Sequence, residues 1–239
     1  MKTALLFGSS GWVGGQILNI LTSDVNYSKI KIFVRTKPEI QSNKLEIIKT
    51  DFNDLENFKD YIKGDDCFFC IGTTKKNSPD QDEYRRVELD LPIQVARIAK
   101  LNDIKSFLFV SSISANPKSS SSYLRFKGQV EEEIKNLNFP KVAIMRPSFL
   151  MGKRKEKRIV EKVGISIFNL LSPLFLGSLR KMKPIHSDIV AKVMIRTANE
   201  NMKKIIFESD EIVELNLDQT QSNNWLSSFR HTTFCRLKF

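Results

Sequence analysis

Apolar positions in this chain fall in short continuous runs, separated by longer stretches of mixed polarity. Residues 3–7, 29–34, 45–48, 66–71, 106–111 and 142–145 are apolar runs of strand length. Between them, residues 12–21, 54–62, 83–101 and 123–136 carry their apolar side chains at helical spacing. Strands that read as near-continuous apolar runs are covered on both faces. The alternation therefore predicts an α/β fold, a parallel sheet with helices on either side, and right-handed crossovers make it doubly wound. After Pro147 the regularity breaks. Residues 150–185 read as a substrate-proximal insertion, 187–198 as a further helix and 204–208 as a late strand. Residues 1–213 form one domain on this reading. Residues 214–239 are a polar tail, with Trp225, Phe229 and Phe234 at no clear period, and receive no assignment.

The first strand runs directly into Gly8-Ser9-Ser10-Gly11-Trp12-Val13-Gly14, which opens the first helix. Three glycines spaced by three between a strand and a helix are the pattern of a dinucleotide-binding turn. The first glycine permits the tight turn, the second lets backbone approach a pyrophosphate, and the third lets helix and strand pack closely. The phosphates then meet the free amides and the positive end of the helix dipole. The doubly wound sheet is on this account Rossmann-like.

The next strand ends make the cofactor more specific. Phe33-Val34-Arg35 closes the second strand, where NAD-selective sites usually carry an acid for the ribose hydroxyl. A guanidinium suits a 2′-phosphate instead, through charge-assisted bidentate bonds, so NADP(H) is the expected cofactor. At the end of the third strand, Asp51 can accept from the adenine amino group beside the Phe52 backbone, or it can cap a helix. The fourth strand ends Cys70-Ile71-Gly72-Thr73-Thr74, a small-residue turn that would pass the cofactor ribose. Cys67 and Cys70 have dithiol spacing but lie within an apolar strand on opposite faces, which reads as burial.

Lysine and arginine outnumber acids by 38 to 27, a formal net charge of +11. That surplus suits a phosphorylated cofactor, and no nucleic-acid partner is expected. The chain is 41% hydrophobic, enough for a core, and its three cysteines (Cys67, Cys70, Cys235) form no disulfide framework. Residues 1–7 read as a strand rather than a leader, and a cytoplasmic protein is expected. Lys153–Arg158 is a basic cluster that reads as a solvated helix start, with an anionic substrate or a membrane surface as the alternative partner. The apolar run 164–177 contains Pro173 and is too short to span a bilayer, which leaves peripheral membrane contact as an expectation. Two histidines and scattered cysteines give no metal-site spacing.

The fifth strand ends Ser111-Ser112, and Tyr123 and Lys127 follow at i and i+4 of a helix, on one face. A free phenol is a weak acid, and an ammonium beside it favours the phenolate. A serine hydroxyl within reach can hold a substrate oxygen. Together these three side chains suit proton transfer in carbonyl–alcohol interconversion.

With these motifs the sequence resembles the short-chain dehydrogenase/reductase superfamily, in its atypical NmrA-like and Tat-interacting-protein-like branch. The resemblance covers residues 1 to about 213 and rests on the glycine turn, Arg35, Asp51, Cys70–Thr74, Val110–Ser112, Tyr123–Glu131 and Met145–Ser148. It implies Tyr123 as acid/base, Lys127 on the nicotinamide ribose and Ser112, with Ser111 the alternative, orienting the carbonyl. It also implies Arg146 and Pro147 beside the nicotinamide, Asp188 bracing a late helix and a non-catalytic His186. The function expected is NADPH-dependent reduction of a small carbonyl compound by a monomer or homodimer. The alternatives are a non-catalytic NADPH-binding sensor and, with too little chain after the sixth strand for a sugar lobe, a nucleotide-sugar epimerase or dehydratase.

Overall fold

The structure is a computed structural model that describes residues 1–74, 76–152 and 181–218. The basic cluster Lys153–Arg158, the apolar run 164–177 and Trp225, Phe229, Phe234 and Cys235 lie outside the described residues.

A seven-stranded sheet forms the centre. In chain order its strands are β1 (Lys2–Phe7), β2 (Tyr27–Val34), β3 (Leu45–Lys49), β4 (Asp66–Phe69), β5 (Ser106–Val110), β6 (Lys141–Arg146) and, from late in the chain, Ile206–Glu208. They lie in the order β3-β2-β1-β4-β5-β6 followed by Ile206–Glu208, and every pairing is parallel. The chain builds outward from β1 to β3, then returns to the other side of β1 for β4. The crevice at the carboxyl ends of β1 and β4 is thus the switch point where doubly wound sheets bind ligands.

Helix α1 (Trp12–Ser23) and the late helix Ser187–Asn199 cover one face. Ile17, Leu18 and Leu21 pack there with Val190, Val193 and Met194. The other face carries α3 (Leu91–Leu101) and α4 (Ser122–Asn136), which bury Val95, Ala99, Val130 and Ile134 over β1, β4 and β5. A short α2 (Gln81–Arg85) precedes α3. On that second face the abundant phenylalanines form a row across four strands. Phe33 stacks on Phe7 at 4.2 Å, Phe7 lies 5.6 Å from Phe69, and Phe69 lies 6.2 Å from Phe109. The row sits near the carboxyl ends of the strands.

Three segments depart from the helical periodicity. Residues 54–62 form two single 3-10 turns, Leu55–Asn57 and Lys59–Tyr61, rather than one helix. Phe58 between them takes φ −140°, which sends its ring under Phe33 and Phe52. The stretch 83–101 is not continuous: a π turn at Arg86–Asp90 separates α2 from α3. Pro92 explains it, because proline offers no N–H to the carbonyl four residues back and its ring crowds that carbonyl, here Glu88. Residues 209–218, partly assigned to the tail, are helical, and Ile212 is buried in the core. Glu211 starts this helix by accepting from the Glu208 amide at 2.9 Å, the reciprocal contact of a capping box.

A two-stranded pairing of β7 (Leu150–Met151) with β8 (Ile185–His186) brackets the insertion. We therefore number the last sheet strand, Ile206–Glu208, β9, and the helices Ser187–Asn199 and 209–218 α5 and α6. Among the described residues no helix is long and apolar enough to cross a membrane. At the opposite, amino-terminal edge of the sheet, buried Asp66 accepts from the Tyr27 hydroxyl at 2.7 Å and pairs with Lys2 at 3.0 Å.

Candidate active site

The glycine turn takes the shape its spacing requires. Gly8 has φ +90°, and a Cβ there would lie 2.7 Å from the Cys70 carbonyl carbon, so only glycine lets β1 pass β4. A Cβ on Gly14 would stand 2.2 Å from the Gly8 oxygen, which makes the third glycine a packing requirement and not a ligand contact. Gly14→Ala is expected to cost about 1–3 kcal/mol, the usual range for forced overpacking, measured as a lowered urea midpoint. Gly11 caps α1 in an extended conformation with no side-chain bond to the first amides, and no acid occupies the first turn. That end of α1 is open to an anion.

Beside the turn lies a cavity of about 420 Å³. Gly8, Ser9, Ser10, Gly11, Arg35, Asp51, Phe52, Ile71, Gly72 and Thr73 line it, bringing together the expected residues from four strand ends. Trp12, Val13 and Gly14 do not line it, and neither do Ser112, Tyr123, Lys127, Arg146 or Pro147. Val13 is a core residue, and the buried Trp12 Nε1 has no hydrogen-bond partner among the described residues. Concavity, glycine turn, open helix end and an arginine at the end of β2 all fit a dinucleotide.

Asp51 is fully exposed and closes its own loop. Its carboxylate accepts from the Asn53 amide at 2.9 Å and side-chain nitrogen at 3.1 Å, and the Asn53 amide holds it below the usual carboxylate range. These contacts close a turn two residues long ahead of Leu55 and cap no helix. Phe52 stands at φ +66°, and Arg86 donates to its carbonyl at 3.0 Å. Arg86 also lines the cavity and was not anticipated from sequence. Asn77 and Ser78 were missed likewise; Ser78 Oγ and Thr73 Oγ1 lie 3.0 Å apart.

Lys127 and Tyr123 meet near the end of β5. Lys127 is buried, its Nζ 5.8 Å from the centre of the Tyr123 ring and 5.0 Å from that of Phe109. Nζ pairs with Glu88 Oε2 at 3.0 Å and approaches the Val110 carbonyl at 3.4 Å. Burial pushes the lysine pKa down, but the Glu88 carboxylate and Tyr123 more than reverse this, leaving it raised. The two serines differ. Ser111 is buried and gives its hydroxyl to Glu131 at 2.5 Å, whereas Ser112 is buried only in part and its hydroxyl makes no such bond.

Arg146 has a different occupation from the one the resemblance implies. Its guanidinium reaches Glu131 at 2.9 and 2.6 Å, Glu208 at 3.0 Å and the Ala115 carbonyl at 3.2 Å. The hydrogen bonds to Glu131 push its pKa up. The group is thereby spent inside the protein. Asp188 pairs with Lys192 at 3.0 Å in α5, and His186 is the exposed cap of that helix. Cys67 and Cys70 do pack against opposite faces of the sheet, and burial raises both thiol pKa values.

A parallel doubly wound sheet with a glycine turn at its switch point is the architecture of a nicotinamide-dinucleotide-binding protein. The chain belongs to the NAD(P)H-binding family, whose model matches residues 8–201. It is 31% identical over 229 residues to protein FMP52-1, mitochondrial, of Scheffersomyces stipitis, covering 89% of this chain and 98% of that one. It is 30% identical over 174 residues to protein HTATIP2 of Rattus norvegicus, covering 71% and 72%. Among solved structures, the Bordetella bronchiseptica enzyme WbmH in complex with NAD+ superposes with a TM-score of 0.64 at 15% identity, over 87% of this chain and 75% of that one. This last likeness concerns the fold alone. The fungal names overturn the expectation of a cytoplasmic protein, since FMP52 relatives in several species are named mitochondrial.

Proposed function

We propose that this chain is an NADPH-dependent oxidoreductase that reduces a small carbonyl compound and works, like the fungal relatives, in mitochondria. The observation that carries the reading is the buried Lys127 beside Tyr123, its Nζ lying behind Gly72 of the cavity lining, in an NAD(P)H-binding chain. The bound nicotinamide would supply the hydride. Tyr123 would give the proton to the nascent alkoxide, and Ser112, whose hydroxyl is not committed to Glu131 as that of Ser111 is, would hold the substrate oxygen. Lys127 would bind the ribose and stabilise the tyrosinate left behind.

Arg35 would select the phosphorylated cofactor. Calorimetric titration of wild type and Arg35→Ala with NADPH and NADH tests this. A charge-assisted bond contributes about 1.5–3 kcal/mol, so the variant is expected to lose about tenfold to a hundredfold in NADPH affinity and little in NADH affinity. Equal losses would remove the 2′-phosphate assignment.

A second reading is supported by one observation: Ser112 and Tyr123 do not line the cavity. A regulatory protein that senses NADPH needs only the part that does. Tight NADPH binding without turnover on any aldehyde or ketone would favour it.

A further inference from the structure

The π turn at Arg86–Asp90 carries a residue that the relay as described leaves unused. Glu88 is 1% exposed, yet it bears a carboxylate inside the helical layer, between Val87 and Leu89. Its two oxygens have different tasks. Oε1 accepts from the backbone amide of Thr73, in the turn that lines the cofactor cavity, at 2.5 Å. Oε2 lies 3.0 Å from Lys127 Nζ. Gly72 leaves the space for this contact, since a Cβ there would come 3.3 Å from Oε1 and 3.9 Å from Nζ.

We infer that Glu88 is the positioning residue of this site: its carboxylate ties the cofactor-binding turn at Thr73 to Lys127 and keeps the lysine charged and aimed at the cofactor. The inference rests on the reading of Lys127 as a cofactor ligand.

A buried ammonium with no countercharge is driven toward its neutral form by desolvation, a shift that reaches several pH units in apolar surroundings. Lys127 is 4% exposed, its flanks being the Phe109 ring from β5 and the Tyr123 ring from its own helix. The titratable groups around it are Glu88 from the π turn, Tyr123 from α4 and Cys70 at the end of β4. Tyr84 of α2 feels both Glu88 and Tyr123, and burial is the main cause that pushes its hydroxyl up to about 12. Glu88 is the only carboxylate in this set. An ammonium has three donors; the Val110 carbonyl accepts from one and Glu88 pairs with the charge at 3.0 Å, which leaves a donor for a ribose hydroxyl. Because Oε1 is held by the Thr73 amide, Lys127 is set relative to the turn that passes the cofactor, and not merely neutralised.

A purely structural ion pair would move stability alone. A positioning role moves the pH dependence of cofactor binding. The test is NADPH affinity, by fluorescence titration from pH 6 to 10, for wild type, Glu88→Gln and Glu88→Asp, with turnover followed in parallel. Wild-type affinity is expected to hold across the whole range, because Lys127, held above the ordinary lysine value by Glu88, stays charged there. Glu88→Gln can still accept from Thr73 but lacks the charge. It should match wild type within about threefold at pH 6, and then lose affinity with a midpoint at least about one pH unit lower. Glu88→Asp, which restores the charge, should move that midpoint back toward wild type even if overall affinity falls. Parallel profiles for all three proteins, including a uniform drop at every pH, overturn the inference. If wild type binds NADPH but reduces nothing, the binding profile still decides the role of Glu88 while the oxidoreductase reading falls. If wild type binds no NADPH, both fall.

Discussion

Tyr123→Phe protein is expected to bind NADPH within about twofold of wild type and to lose about 10²–10⁴-fold in the rate of carbonyl reduction, the usual contribution of a positioned acid–base group. The phenylalanine ring can take the place of the tyrosine ring beside Lys127 Nζ, since what is deleted is one hydroxyl. The glycine turn, Arg35 and the Cys70–Thr73 turn are untouched and line the cavity without Tyr123. The split between binding and turnover is therefore the informative quantity. It is read from a stopped-flow hydride-transfer rate at saturating NADPH, alongside the affinity measured separately. A variant that keeps turnover would show that the proton comes from elsewhere, and Tyr84 is then the first residue to examine, being buried and electrostatically linked to Tyr123. A variant that loses binding and turnover together would show that the ring is part of the scaffold.

Much of this site follows from short-range chemistry. The strands are legible because a sheet covered on both faces needs apolar side chains on both, as in Leu5, Leu6 and Phe7, all fully buried. The glycine turn is legible because its three positions have steric requirements that few other patterns share. The π turn was hidden by its own sequence. Residues 83–101 keep helical periodicity across Pro92, and nothing in that period says that the chain widens where the proline withholds a donor. A signal did exist in α4. Lys127, Gly128, Val130, Glu131 and Ile134 are its buried positions, so one acid falls in a stripe that otherwise faces the core. Acids do not enter such stripes without a partner. The same holds for Glu88, flanked by Val87 and Leu89. Arg146 was read from its place at the end of β6, but position along a strand says nothing of which carboxylates wait on the neighbouring elements. Compartment was not legible: a low cysteine count is as compatible with one reducing compartment as with another.

The arginine network supplies the largest expected effect on stability, for Glu131→Ala. Glu131 is 1% exposed and serves three donors: Ser111 Oγ at 2.5 Å, Arg146 Nε at 2.9 Å and Arg146 Nη2 at 2.6 Å. Removing it leaves a largely buried guanidinium against Glu208 and the Ala115 carbonyl alone, and leaves the Ser111 hydroxyl unpaired. Breaking a buried pair by deleting one partner typically costs about 3–5 kcal/mol, a large share of the roughly 5–15 kcal/mol that holds an ordinary domain. The loss should appear as a lower urea midpoint at unchanged slope. Glu131→Gln, which retains an acceptor for Ser111 but not the charge, should lose less. The network also crosses the carboxyl ends of β5, β6 and β9, directly beside Ser112. Folded Glu131→Ala protein should accordingly keep its NADPH affinity while its KM for a carbonyl substrate rises, because Ser112 inherits its position from Ser111. A loss below about 1 kcal/mol would mean that the guanidinium reaches solvent or another acceptor once Glu131 is gone. In that case the carboxylate positions Ser111 and Ser112 without bearing on the stability of the sheet.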